Sequence, residues 1–97
     1  MPATALPNLW DGGIDIRWSM YGISFGAQCK NHSRKIGPVI VRELRGALDL
    51  ISIWILGVVV IPFKLIYLNG KYVDGYSHDA QDTADRLGIV LTNLEDI

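Results

Sequence analysis

The chain has 97 residues, a formal net charge of −1 and a single cysteine. That length holds one domain at most, the lone Cys29 excludes an internal disulfide, and the near-neutral balance gives bulk electrostatics no means of recruiting nucleic acid. A mean hydropathy of +0.24 is unusual for a soluble domain and suits a chain whose centre lies in lipid.

The first thirteen residues contain Pro2, Pro7, Gly12 and Gly13, which argue for an extended or looped arm. Leu6, Leu9 and Trp10 are placed to pin that arm to a partner or to a membrane interface, or to sit in an ordinary loop. No secretory signal and no organelle presequence is legible here, so any targeting information is expected to be internal.

From Ile14 the pattern alternates strictly, with Ile14, Ile16, Trp18 and Met20 on one face and Asp15, Arg17, Ser19 and Tyr21 on the other. That is the signature of a strand. Gly22 and Gly26 interrupt its continuation through Ile23 and Phe25, so one short strand is expected, needing a hairpin mate in the chain or the edge of another subunit. The stretch from Gln28 to Gly37 is polar and basic. Cys29 and His32 have the spacing of half a zinc site, but no second pair completes tetrahedral coordination, and a polar loop is the expectation. Asn31-His32-Ser33 is formally a glycosylation sequon.

Gly37-Pro38 reads as a helix start. Arg45 and Asp49 lie one turn apart and can pair, and Arg42 can meet lipid phosphates. The helix then enters Leu50 to Leu68, where thirteen of the residues are Leu, Ile, Val or Phe and Lys64 is the one charge. At about 1.5 Å per residue that run spans roughly 28 Å, close to the hydrocarbon thickness of a bilayer. The apolar residues contribute roughly −4 to −8 kcal/mol to insertion, more than an off-centre lysine opposes. The expected fold is therefore a mainly α membrane protein. One long single-pass transmembrane helix occupies about 38–68, an extended N-terminal arm with a short strand and basic loop fills 1–37, and an acidic C-terminal segment with a short polar helix fills 69–97.

A competing pattern lies within the same residues. The strictly uncharged run, Leu50 to Phe63, has only fourteen residues, a length commoner in a protein core than in a span. Asn69-Gly70 stops a helix, but it also sits between two β-capable runs as a hairpin turn. If Leu65 to Asp74 is a hairpin, the chain is instead a soluble α+β interaction or assembly protein with 50–63 as its core.

On a helix, Gly46, Leu50, Ile53, Gly57, Ile61 and Lys64 fall on one stripe, which would make them a face for docking on another membrane helix. Pro62 would kink the helix near its end. Further on, Ser77 can cap a short helix that Gly88 closes, with acidic residues early and Arg86 late. His78, Asp82 and Asp85 share one face of it, a pattern that suggests a divalent-ion site; a solvated acidic face is the commoner outcome, and no metal is expected. The residues from Ile89 onward need burial against something.

Arg17, Lys30, Arg34, Lys35, Arg42 and Arg45 precede the apolar run, whereas only Lys71 and Arg86 follow Lys64. By that bias the N-terminal half should lie on the matrix or cytoplasmic side. The function expected from these features is that of a non-catalytic, single-pass accessory subunit of a large membrane complex, of the energy-transducing (respiratory or ATP synthase) kind, in the mitochondrial inner membrane. Its partners would be other subunits, with lipid headgroups at Arg42, Arg45 and Lys64, no nucleic acid and no cofactor. Cys29, His32 and His78 are the conventional catalytic candidates, and nothing in the sequence places a base or orienting group beside any of them.

Overall fold

The computed structural model describes residues 4–5, 14–31 and 34–96. In chain order the strands and helices are β1 (Thr4–Ala5), β2 (Ile16–Met20), β3 (Ile23–Cys29), α1 (Pro38–Asp49), β4 (Leu56–Ile61), β5 (Leu65–Leu68), β6 (Lys71–Asp74), α2 (His78–Leu87) and β7 (Ile89–Asn93), followed by a 3-10 turn over Leu94–Asp96. Five strands form one mixed sheet in the order β1-β2-β3-β4-β7, and β5 and β6 form a separate two-stranded hairpin. The fold is α+β.

Among the described residues no helix is long and apolar enough to cross a membrane. The transmembrane helix expected over 38–68, the mainly α single-pass architecture and the integral-membrane placement are all corrected by this finding. Helix α1 ends at Asp49, where Ile51 N and Ser52 N both donate to the carbonyl of Leu48 at 2.9 and 2.8 Å. Beyond it the apolar run becomes β4, Leu-Gly-Val-Val-Val-Ile, whose β-branched residues lose side-chain freedom in a helix and fit a pleated strand. A strand paired on both sides within a parallel region reads as a nearly continuous apolar run. That is why its hydropathy resembled a membrane span.

Both β-hairpins turn on residues with positive φ. Tyr21 (52°) and Gly22 (78°) join β2 to β3, while Asn69 (52°) and Gly70 (84°) join β5 to β6. Two consecutive left-handed residues give a turn whose twist matches that of the flanking strands. The single strand expected at 14–20 thus finds its mate inside the chain: β3 runs straight through Gly26, pairing Ile16 with Ala27 and Met20 with Ile23. Residues 6–13, including Leu6, Leu9 and Trp10, lie outside the described residues; of the arm, Thr4 and Ala5 pair antiparallel with β2.

Strand β4 is parallel to both β3 and β7. Helix α1 connects the first pair, and the β5–β6 hairpin with α2 connects the second. The two helices pack on each other and on one face of the sheet, burying Val41, Leu44 and Leu48 of α1 and Ala80 and Ala84 of α2 against Ile14, Ile55, Val59 and Ile89. Close approach of α1 requires glycine beneath it. A Cβ at Gly26 would collide with Leu48, and one at Gly57 would lie 2.8 Å from Leu48 Cδ1 and closer still to Ile89. Ser77 caps α2 by accepting from Ala80 N at 3.0 Å, and Gly88 closes it at φ 67°, as the sequence pattern predicts.

The topology gathers several segments at one end of the sheet. Strands β3 and β4 are parallel, so their carboxyl ends lie together, and Lys30 N extends their ladder by donating to Val60 O at 2.9 Å. The loop after β3 is tied to the segment before α2: Ile36 N donates to Gly75 O at 2.7 Å and Ser77 N to Ile36 O at 2.9 Å. The β5–β6 hairpin leaves from the same end of β4.

Candidate functional site

In sheets of this kind, ligands bind outside the carboxyl ends of the parallel strands. Four chemically capable residues stand there, Asp15, Gln28, Cys29 and Lys30. Asp15 lies just before β2. Its backbone N donates to Ala27 O at 2.8 Å, although Ala27 already pairs with Ile16, so two residues of this strand oppose one of β3. That is a bulge, a device that re-aims a side chain at the end of a ladder. The Asp15 carboxylate turns back onto β3, and its Oδ2 accepts from Cys29 N at 2.7 Å. It therefore touches the peptide that joins Gln28 to Cys29.

Gln28 is 3% exposed, and its Oε1 accepts no hydrogen bond from the described residues. A buried amide oxygen without a partner is destabilising by about 1–3 kcal/mol, so native structures rarely keep one. Strand alternation puts Lys30 on the same side of β3, half-buried at the strand end. Arg34 and Lys35 follow in the exposed loop. Cys29 points the other way, and its thiol is held above its ordinary value by burial and by the charge of Asp15.

Tyr76 braces this end of the sheet. Its hydroxyl lies 2.9 Å from Val59 O and 2.6 Å from Thr92 O, spanning β4 and β7, and burial pushes its phenol well up. Beyond it, Asn93 is buried and organises the last turn, its Oδ1 accepting from Glu95 N and Asp96 N. Glu95 in turn accepts from Lys64 N at 2.7 Å, fixing the base of the β5–β6 hairpin.

The residues proposed from sequence as a docking stripe are distributed over four parts of the fold. Gly46 is on the exposed side of α1, Leu50 and Ile53 are in the turn after it, Gly57 and Ile61 are buried in β4, and Lys64 is at the hairpin base. They share no helical face, because the helix stops before most of them. Arg45 does pair with Asp49, its Nε donating to Oδ1 at 3.0 Å, and its Nη2, 2.9 Å from the same carboxylate oxygen, donates to Ile55 O at 3.0 Å, so it ties down the turn leading into β4. Arg42 lines a polar groove between the helices with Asp79, Asp82 and Arg86.

His78 and Asp82 approach to 3.3 Å, and with Asp79 they form a cluster on α2 that is exposed throughout. Asp85 is not part of it. His32 and Ser33 lie outside the described residues, and with them the half zinc site and the sequon. Sequence reasoning read Asp15 as the polar face of a strand and Gln28 as the start of a loop. The available signal was an uncharged polar residue at an inward strand position, in line with Gly26 and Lys30. No protein-family model matches the chain, and comparison with curated proteins and with solved structures found no match.

Proposed function

We propose that the chain is a divalent-cation-dependent hydrolase of phosphodiesters, with nucleic acid as the substrate class. The observation that carries this reading is the buried Gln28 Oε1, without a partner among the described residues, on the residue next to Cys29, whose N–H the Asp15 carboxylate accepts. An amide carbonyl oxygen and a carboxylate are the donor types of hard cations such as magnesium, which take one or two protein oxygens and fill their remaining positions with water and substrate phosphate. Such a cation would polarise the phosphoryl oxygen and make bound water more acidic.

The roles of the side chains follow from their chemistry. Asp15 and Gln28 would hold the cation. Lys30 offers a point charge to the charge that builds on phosphorus in the transition state, and Arg34 and Lys35 contact the flanking phosphates. Water attacks phosphorus, one P–O ester bond breaks, and the departing oxygen takes up a proton, giving a phosphate monoester and an alcohol. This proposal departs from the expectation of a chain without catalysis or nucleic-acid partner.

The test is cleavage of plasmid and of single-stranded DNA by the purified chain with magnesium. The expected result is cleavage that EDTA abolishes and that Asp15→Asn reduces by at least about 100-fold, the order of effect that follows from losing electrostatic stabilisation of the transition state. Cleavage that persists in Asp15→Asn, or none in the wild-type chain over a range of divalent cations, would sink it.

A second reading, an interaction or assembly role, is favoured by the turn after α1, where Leu50 is 90%, Ile53 68% and Trp54 81% exposed. Apolar side chains gathered in this way mark contact surfaces. On this reading Trp54→Ser abolishes complex formation, measured by size-exclusion chromatography, while Asp15→Asn leaves it intact.

A further inference from the structure

The hairpin β5–β6 carries a groove of 780 Å³ lined by Phe63, Lys64, Leu65, Tyr67, Tyr72 and Glu95, among others. Phe63, Tyr67 and Tyr72 are 65, 62 and 70% exposed. Large aromatic rings left this open in a chain of this size call for an explanation, since burying them elsewhere would have stabilised the fold.

The rings are held in place. Tyr67 and Tyr72 are direct cross-strand partners, packed edge to face with centroids 5.1 Å apart. The hairpin base is fixed from two sides, by Lys64 N donating to Glu95 Oε1 and by Gly75 N donating to Lys64 O at 2.9 Å. Phe63 and Ile66 also line a smaller cavity, together with Asn31 and Arg34. The aromatic groove and this cavity thus share Phe63 and Ile66, which places the groove next to the basic loop that follows Lys30.

This pairing has a chemical sense. The groove contains one cation and one anion, Lys64 and Glu95, so it is close to neutral and suits an uncharged flat ring. The loop beyond it carries Lys30, Arg34 and Lys35 with no acidic residue between them, and suits phosphate. A nucleotide has those two parts, a planar base and an anionic backbone, separated by one sugar.

We infer that the Phe63–Tyr67–Tyr72 groove binds a single-stranded segment of nucleic acid by stacking its unpaired bases, with the backbone running toward Arg34 and Lys35. The inference rests on the hydrolase reading for its choice of polymer, but it concerns a separate surface. Duplex DNA, whose bases are already stacked, binds this surface weakly. The hairpin holds the strand and the Asp15 end of the sheet receives its phosphodiester.

Binding of a short fluorescein-labelled single-stranded oligonucleotide to the whole chain in EDTA, read by anisotropy, tests it without requiring cleavage. The double variant Tyr67→Leu with Tyr72→Leu keeps an apolar cross-strand pair but removes both stacking rings; it should bind at least about 10-fold more weakly, and Tyr→Phe at both positions should bind as wild type. A melting curve matched to wild type shows that the leucine variant is folded. Unchanged binding in that variant, or no binding by the wild-type chain, overturns the inference. Tyrosine-dependent binding without magnesium-dependent cleavage keeps the surface and removes the hydrolase. Cleavage indifferent to the tyrosines does the reverse.

Discussion

At the scale of the residue, Gln28 is the position where, on the proposed hydrolase reading, stability and function are set against each other. Its Oε1 is buried without a partner, which an apolar side chain of similar length would not suffer. Gln28→Met should therefore raise stability by about 1 kcal/mol, measured by urea denaturation, while removing cation-dependent cleavage. A destabilised Gln28→Met would mean that the amide is satisfied in solution and has no need of a cation. Tyr76 presents the opposite case, a half-buried polar group with two carbonyls within reach of one hydroxyl hydrogen. Its phenol is raised by burial, so the folded state holds that proton more tightly than the unfolded chain does. Stability is consequently full below the ordinary phenol value of 10.0 and falls as pH rises above it. Tyr76→Phe should be destabilising by about 1 kcal/mol at neutral pH and should flatten that alkaline decline in a pH series of melting curves.

At the scale of the element, two glycines that share a helical stripe on paper have opposite roles. Gly46 sits on α1 with open space where a Cβ would be, so Gly46→Ala should stabilise by about 1 kcal/mol through helix propensity. Gly57 lies under Leu48 and Ile89, so Gly57→Leu should destabilise by about 3 kcal/mol or more by forcing α1 and β7 off the sheet. Thermal melts of the two variants moving in the same direction would contradict this packing. The local signals that were read correctly are those whose physics is local. Pro38 starts α1, and Ser77 and Gly88 bound α2, each within a few residues of its cause. Between the hairpin and the helix-stop readings of Asn69-Gly70, the hairpin holds, since Leu65–Leu68 and Lys71–Asp74 pair directly across it.

At the scale of the whole molecule, the α+β architecture places two connected chemistries at one end of a sheet. The bulge at Asp15, the inward Gln28 and the basic loop come from the first half of the chain, and the aromatic hairpin comes from the second. They meet because β3 and β4 are parallel and the hairpin leaves from the end of β4. By itself the sequence determined a strand in the alternating stretch from Ile14, the start of α1 and the capped C-terminal helix, and it offered the second hairpin as a competing pattern. It also offered, as its alternative, an α+β chain built on 50–63, and the buried side of β4 does lie there. It did not determine whether the apolar run was span or strand, since hydropathy records only that side chains avoid water and not what covers them. The tertiary structure decided that: α1 and α2 cover one side of β4, and β3 and β7 satisfy its backbone. It alone brought Asp15 to the peptide of Gln28, thirteen residues away in sequence, because that contact depends on strand register and on one bulge.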